Sequence, residues 1–406
     1  MEPLLVVGII IFTGFVLGEL VTLIKLPKVT GYILAGVILN PSVCDFIPAT
    51  FMNTTGFITN IALAFITFSV GGTLLHSRMK RLGKGIISIG LFESEMVFLI
   101  LFIALAAVTP LLIDFPGGTL LTVFIPLSLI LASLGSPTDP SAALAVKHEY
   151  KAEGDVSNTI MGITAFDDAL GIINYSVAVS IASLLIFSES FTLYSSLLQP
   201  LVTILGGVAI GILFGAVFNI ISRFIKKETE GTYIIVILSL LLLCFSVASI
   251  LEFDELLSTM TMGIVVVNFN PMRKKIFKIM ERYTEELIFV FFFTLSGMHL
   301  DFEVLFSSYL LIILFVLFRA FGKFLGTATG AHISRSSPNV KKYVAGGLIP
   351  QGGVVIGLAL LLKQRYAFDE ISSIIISVII GATIIHEFIG PVLAKIALTK
   401  AGEIKG

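Results

Sequence analysis

The sequence predicts an all-α integral membrane protein of about thirteen crossing helices, arranged as inverted repeats around two broken helices. Three observations carry this. Of 406 residues, 56% are hydrophobic and only 13% charged, with a mean hydropathy of +1.03, a balance foreign to soluble domains. The apolar residues fall in runs of crossing length joined by short polar connections, and two of those runs carry proline and glycine clusters at their centres. A formal charge of −1 with no basic arm gives no footing for nucleic-acid binding.

Taken in order, the runs lie near 3–25, 29–47, 56–75, 86–113, 119–147, 155–187, 193–222, 232–251, 254–270, 283–300, 304–333, 342–362 and 371–396. Each approaches or exceeds the ~17–25 residues that cross a bilayer. The first, Pro3 to Leu23, lacks the basic start and small-residue cleavage site of a signal peptide and reads as a retained span. Cys44 and Cys244 have neither metal-site nor disulfide spacing and read as packing residues. Orientation follows from the basic residues. With the amino terminus outside, Lys363 and Arg365 are the only lysines and arginines in outside connections, and Arg319 and Lys323 the only ones within a span. All the others of the 26 lie in inside connections, at inner span ends or in the tail. The expected setting is a prokaryotic cytoplasmic membrane, with the amino terminus outside and the carboxyl terminus cytoplasmic.

The fifth span contains Gly135-Ser136-Pro137-Thr138-Asp139-Pro140, and the twelfth contains Gly346-Gly347 and Pro350-Gln351-Gly352-Gly353. Each proline removes an N–H and turns its predecessor away from helix. Seven spans separate the two, an odd offset, so they cross in opposite directions as inverted repeats require. The same offset pairs the fourth span with the eleventh and the sixth with the thirteenth. Each of these holds intramembrane polar residues: Glu93 and Glu95, Arg319 and Lys323, Asp167 and Asp168, and His386 and Glu387. Spans four to six and eleven to thirteen therefore form a core in which the broken helices meet near the midplane.

The sixth span carries the costliest pair. Asp167 and Asp168 have no basic residue nearer in sequence than Lys151 or Arg223, and one charge at a helix centre costs roughly 2.5–3.5 kcal/mol on insertion scales. Adjacent helical residues point about 100° apart, so one aspartate faces the cavity and the other a neighbouring helix. Unwound backbone frees carbonyl oxygens and exposes half-helix ends, whose partial charges Asp139 offsets on one side and Lys323 or Arg319 on the other. Carbonyls, the Thr138 and Thr164 hydroxyls and the Asp168 carboxylate then make an all-oxygen site suited to Na⁺, Li⁺ or another monovalent cation. A buried carboxylate beside like charge also takes up protons readily. Arg319 requires an anion, with Asp167 favoured and Asp139 or Glu93 as alternatives. If Lys323 takes Asp167 instead, a second proton enters the cycle. Glu387 is a further candidate partner for Arg319 or Lys323.

On these residues the chain resembles the monovalent cation/proton antiporter superfamily, whose members include sodium/proton exchangers and Kef-like potassium efflux systems. The resemblance rests on GYILAGVILNP at 31–41, SPTDP at 136–140, FDDALGI at 166–172, RAFGKFLG at 319–326 and PQGG at 350–353. It implies a NhaA-like fold with an ion-binding bundle from 86–187 and 304–396 and a scaffold from 1–75 and 193–300. It implies also a homodimer through the scaffold, elevator-like movement of the core, and no bound cofactor beyond the transported ions. In the family the position of Asp168 binds the ion, those of Thr138 and Thr164 contribute ligands, and the position of Arg319 partners that of Asp167. This chain departs from the electroneutral members, which have asparagine at the first position of the pair and glutamate four residues before it, where Ile163 stands here. Kef-like members often end in a nucleotide-binding regulatory domain; regulation of that kind here requires a separate subunit.

The remaining polar residues have plainer readings. Glu285, Glu286, Asp301 and Glu303 fall near span ends, and Glu252, Asp254 and Glu255 form a polar outside turn that could also line a cation entrance. His76 and His148 lie on the inside face, where histidine can sense pH. An intramembrane aspartyl protease needs a Gly-x-Gly-Asp motif that is missing here. An organic-anion symporter of similar fold, or a cation channel, is the competing class. Neither is an enzyme.

Overall fold

The computed structural model describes residues 3–23, 28–44, 47, 49–52, 55–113, 115, 119–139, 152–187, 199–224, 230–352 and 354–404. Among them the regular structure is helical: α1 (Pro3–Thr22), α2 (Lys28–Ile38), α3 (Gly56–Thr73), α4 (His76–Leu112), α5 (Ile125–Ser133), α6 (Asp155–Ile163), α7 (Asp167–Phe187), α8 (Gln199–Phe224), α9 (Glu230–Ile250), α10 (Glu255–Phe269), α11 (Arg273–Met280), α12 (Glu286–Met298), α13 (Tyr309–Ile333), α14 (Pro338–Gly347), α15 (Val354–Leu362) and α16 (Asp369–Lys400). Eight stretches of the described chain are long and apolar enough to cross a membrane, and four shorter apolar helices accompany them. The protein is a multi-pass membrane protein. His148 and the predicted continuation of the fifth span, 140–147, lie outside the described residues.

The sequence breakers act where their chemistry dictates. Helix α5 stops at Ser133, leaving Leu134 to Asp139 non-helical, and the twelfth span divides into α14 and α15 around Leu348 to Gly352. A third interruption corrects the expectation of one continuous helix over 155–187: Thr164 to Phe166 form a turn between α6 and α7, immediately before the aspartates. No proline or glycine marks it. Near the amino end of α4, Gly83 takes φ 79°, a left-handed conformation that L side chains resist, and sets the basic turn around Arg78 and Lys80 off from the membrane helix.

Close helix contacts use small residues, as expected where the lipid is as apolar as the side chains. Gly322, Gly326 and Gly330 of α13 lie against the backbones of Val97, Glu93 and Ile89 of α4, where an added Cβ would meet those Cα atoms at 2.8, 2.6 and 2.7 Å. Two further pairs meet glycine to glycine: Gly36 of α2 with Gly297 of α12, and Gly71 of α3 with Gly263 of α10. In span numbers these are two with ten and three with nine, and the seven-span offset converts one pair into the other. The pseudo-symmetry thus extends beyond the broken helices.

Helices α4 to α7 and α13 to α16 pack on one another, and α1 to α3 with α8 to α12 form the remaining body. Contact between the two groups runs mainly through α7 and α15, which touch α3, α8, α10 and α12. Helices α6 and α14, the other halves of the same spans, pack chiefly against α4, α13, α16 and each other. Among the described residues the contact between the two groups is thus concentrated on the α7 and α15 half-helices, with Thr30 of α2 also reaching Glu387 of α16.

Candidate functional site

The two non-helical segments cross and bond to each other. Asp139 N–H donates to the Pro350 carbonyl at 3.1 Å, the Thr138 hydroxyl donates to Leu348 O at 3.5 Å, and Gln351 Nε2 donates to Leu134 O at 2.9 Å. Gln351 Oε1 in turn meets Nδ1 of His386 on α16 at 2.8 Å. Gly171 packs against the ring of Pro137, where an added Cβ would lie 2.3 Å from Cγ, so α7 rests directly on the first crossing segment.

Arg319 fastens the crossing. Its side chain is fully buried, and its Nε donates to Gly135 O at 2.7 Å, Nη1 to Ile349 O at 2.6 Å, and Nη2 to Pro137 O at 2.8 Å and Pro350 O at 3.4 Å. Every acceptor is a carbonyl that an unbroken helix would have used internally. Where the sequence led one to expect a carboxylate partner, the hydrogen bonds of Arg319 among the described residues go to these carbonyls, and Glu93, Asp167 and Glu387 act on it through space. The physical reason is that two interrupted helices expose several orphan carbonyls together, and the rigid five-donor guanidinium fork matches a set of fixed acceptors.

One turn along α13, Lys323 is equally buried and sits among Glu93, 2.5 Å from its Nζ, the Ser136 carbonyl at 2.5 Å and the Thr138 hydroxyl at 2.8 Å. An ammonium has three protons to donate, and these three neighbours account for them. Glu93 is thus the carboxylate paired with Lys323, and Asp167, fully buried, lies beside Lys323, Glu93, Thr138 and the backbone of Asp168.

The aspartates point apart. Asp167 is enclosed, whereas Asp168 is partly exposed, and its charged neighbours besides Asp167 are Asp139 and Lys323. Both occupy the first turn of α7, where free N–H groups and the helix dipole favour negative charge. Thr138 lies inside the crossing, while the Thr164 hydroxyl is turned back to its own helix, donating to Met161 O at 3.4 Å. Glu387 lies beside Asp139 and accepts from Thr30 of α2 at 3.5 Å, in place of the pairing with Arg319 or Lys323 read from the sequence. At the turn between α9 and α10, Asp254 caps α10 by accepting from Leu257 N at 2.8 Å, and Glu255 pairs with Arg365 at 2.8 Å.

The carbonyls freed at the breaks are largely committed to Arg319, Lys323 and Gln351. In place of the ring of open carbonyls that the sequence suggested, the partly exposed oxygen group beside the breaks is the Asp168 carboxylate, while the Thr138 hydroxyl is bonded to Lys323 and Leu348. Gln351 was visible only as part of a breaker cluster, and His386 and Thr30 carried no signal of their own beyond polarity in an apolar run.

A family model described as "Sodium/hydrogen exchanger, transmembrane" matches residues 8–395. Among curated proteins, Na(+)/H(+) antiporter 1 of Methanocaldococcus jannaschii is 23% identical over 214 residues, covering 52% of this chain and 46% of that protein. The match thus spans less than half of the relative's length. Among solved structures, the sodium proton antiporter MjNhaP1 from Methanocaldococcus jannaschii at pH 8 superimposes with a TM-score of 0.76 at 20% identity over 98% of both chains. A structure of the same antiporter by electron microscopy gives 0.71 at 21% identity over 100% of both. At such identity the superposition establishes the fold.

Proposed function

The chain belongs to the sodium/hydrogen exchanger family, and on that premise we propose that it exchanges a monovalent cation for protons by alternating access. Na⁺ is the foremost substrate, with Li⁺ or K⁺ taken by the same oxygen chemistry. The observation that carries the reading is the placement of Asp168: a partly exposed carboxylate at the amino end of a membrane helix, beside two crossed breaks whose backbone charge is already balanced by Arg319 and Lys323. Because the charges at the crossing are balanced among themselves, Asp168 is free to neutralise either a cation or a proton. Competition for that one group couples the two flows without a separate device.

Asp168 and Thr138 contact the cation, with Thr164 and Asp167 lining the site. Arg319 and Lys323 hold the crossing, and Asp139 faces the half-helix amino ends. The core, 86–187 and 304–396, moves against a scaffold, 1–75 and 193–300, which carries the homodimer contact. The amino terminus lies outside the cell membrane and the carboxyl terminus in the cytoplasm. In that orientation α6 and α14 are inner half-helices, and an inward-open reading is supported by the contact of core with scaffold running mainly through α7 and α15.

The test is transport in proteoliposomes carrying Na⁺ or K⁺ gradients. The native chain should drive proton flux against the cation gradient, and Asp168→Asn should abolish it. Equal rates in the two proteins would remove Asp168 from the mechanism.

A further inference from the structure

Asp168 and Tyr175 are seven residues apart on α7, close to two full turns, so they share a face about 10 Å apart along the axis. Tyr175 is 1% exposed and its hydroxyl has no hydrogen-bond partner. The charged groups that act on it are Arg365, Glu255 and Asp254. Directly beyond them lies a cavity of about 330 Å³ whose lining includes Asn60, Glu252, Glu255, Gln364 and Arg365. The ion pair thus borders the cavity and acts on Tyr175, which lies about two turns along α7 from Asp168.

The ion pair joins the two helix groups. Glu255 is the first residue of α10, and Arg365 follows α15 by three residues. Their contact is 2.8 Å, with the Glu255 side chain 9% exposed and that of Arg365 32% exposed. A second, weaker strap runs beside it, from Gln364 Nε2 to the Gly56 carbonyl at 3.4 Å. We propose that the Glu255–Arg365 pair and Tyr175 form the outer gate of the exchanger, two layers that close the route from the outer cavity to Asp168. The gate rests on the exchange reading above and adds to it the residues that separate the site from the outside.

The chemistry suits a gate. A pair whose arginine is one-third exposed and whose two partners both line a cavity holds with a smaller desolvation penalty than a fully enclosed one, so it can part and re-form within a transport cycle. When the groups separate, water re-solvates Arg365, Glu255 turns its carboxylate to the cavity where it attracts an incoming cation, and Tyr175 moves with α7 away from α10. Tyrosine is the fitting second layer: its ring blocks ions, and its hydroxyl tolerates water when the route opens.

The experiment places a thiol at the second layer. In a chain with Cys44 and Cys244 replaced by serine, Tyr175→Cys is exposed to a membrane-impermeant maleimide added to one membrane face at a time. With the ion pair intact, labelling from the outer face should be slow. Adding Arg365→Ala, or the isosteric Glu255→Gln should the former misfold, should speed outer labelling about tenfold, the factor for loss of a contact of roughly 1.4 kcal/mol. Joint reversal, Glu255→Arg with Arg365→Glu, should restore slow labelling and shows that charge pairing, and not bulk, is responsible. Equal outer labelling in all of these proteins would overturn the gate. Labelling does not depend on transport, so loss of the exchange reading through an active Asp168→Asn would be recognised separately.

Discussion

At the scale of single residues, the site is governed by how two cations are divided among many acceptors. Arg319 donates to four carbonyls; Lys323 takes one carboxylate, one carbonyl and one hydroxyl. Arg319 is therefore the clamp on the crossing, and Arg319→Gln should cost about 3–5 kcal/mol of stability by leaving buried acceptors unpaired. Arg319→Lys should recover little of it, because a single ammonium cannot reach carbonyls on both segments. Thermal unfolding in detergent measures both, and a lysine variant as stable as the native protein would contradict the clamp. The identities of these residues were legible because charge in an apolar run is costly. Their partners were not, since the choice between Asp167 and a set of carbonyls depends on where two distant segments cross.

At the scale of elements, proline and glycine announced the interruptions in the fifth and twelfth spans, and those are where the helices end. The turn at Thr164 to Phe166 had no such mark, because it is imposed by packing and not by backbone chemistry: Phe166 lies against Gly90 of α4, and Gly162 against Ile86 and Leu82. Helix α13 owes its place to the glycine stripe facing α4. Gly326→Ala would put a methyl 2.6 Å from the Glu93 Cα atom, forcing the helices apart beside the Lys323–Glu93 contact. Loss of about 1–3 kcal/mol of stability is expected, as for other overpacked contacts, together with slower exchange. A variant with native stability and native flux would show that the interface is slack.

At the scale of the whole molecule, the offset of seven spans and the asymmetric distribution of lysine and arginine were enough to read a pseudo-symmetric membrane protein from its sequence. The glycine pairs Gly36 with Gly297 and Gly71 with Gly263 carry the same symmetry into the other helix group, yet glycine is too common in membrane helices for them to have been chosen beforehand. That contact between the groups is concentrated on α7 and α15 is a property of the assembled helices, with no counterpart in any single stretch of sequence. The account as a whole holds that cation and proton take turns at Asp168, and the direct measure of that is the half-saturating Na⁺ concentration of proteoliposome exchange as a function of pH. Competition predicts that on the acid side it rises about tenfold for each unit of falling pH if one proton competes, and about a hundredfold if two do, with the maximal rate unchanged. A half-saturating concentration that stays constant across the same range would contradict a shared site.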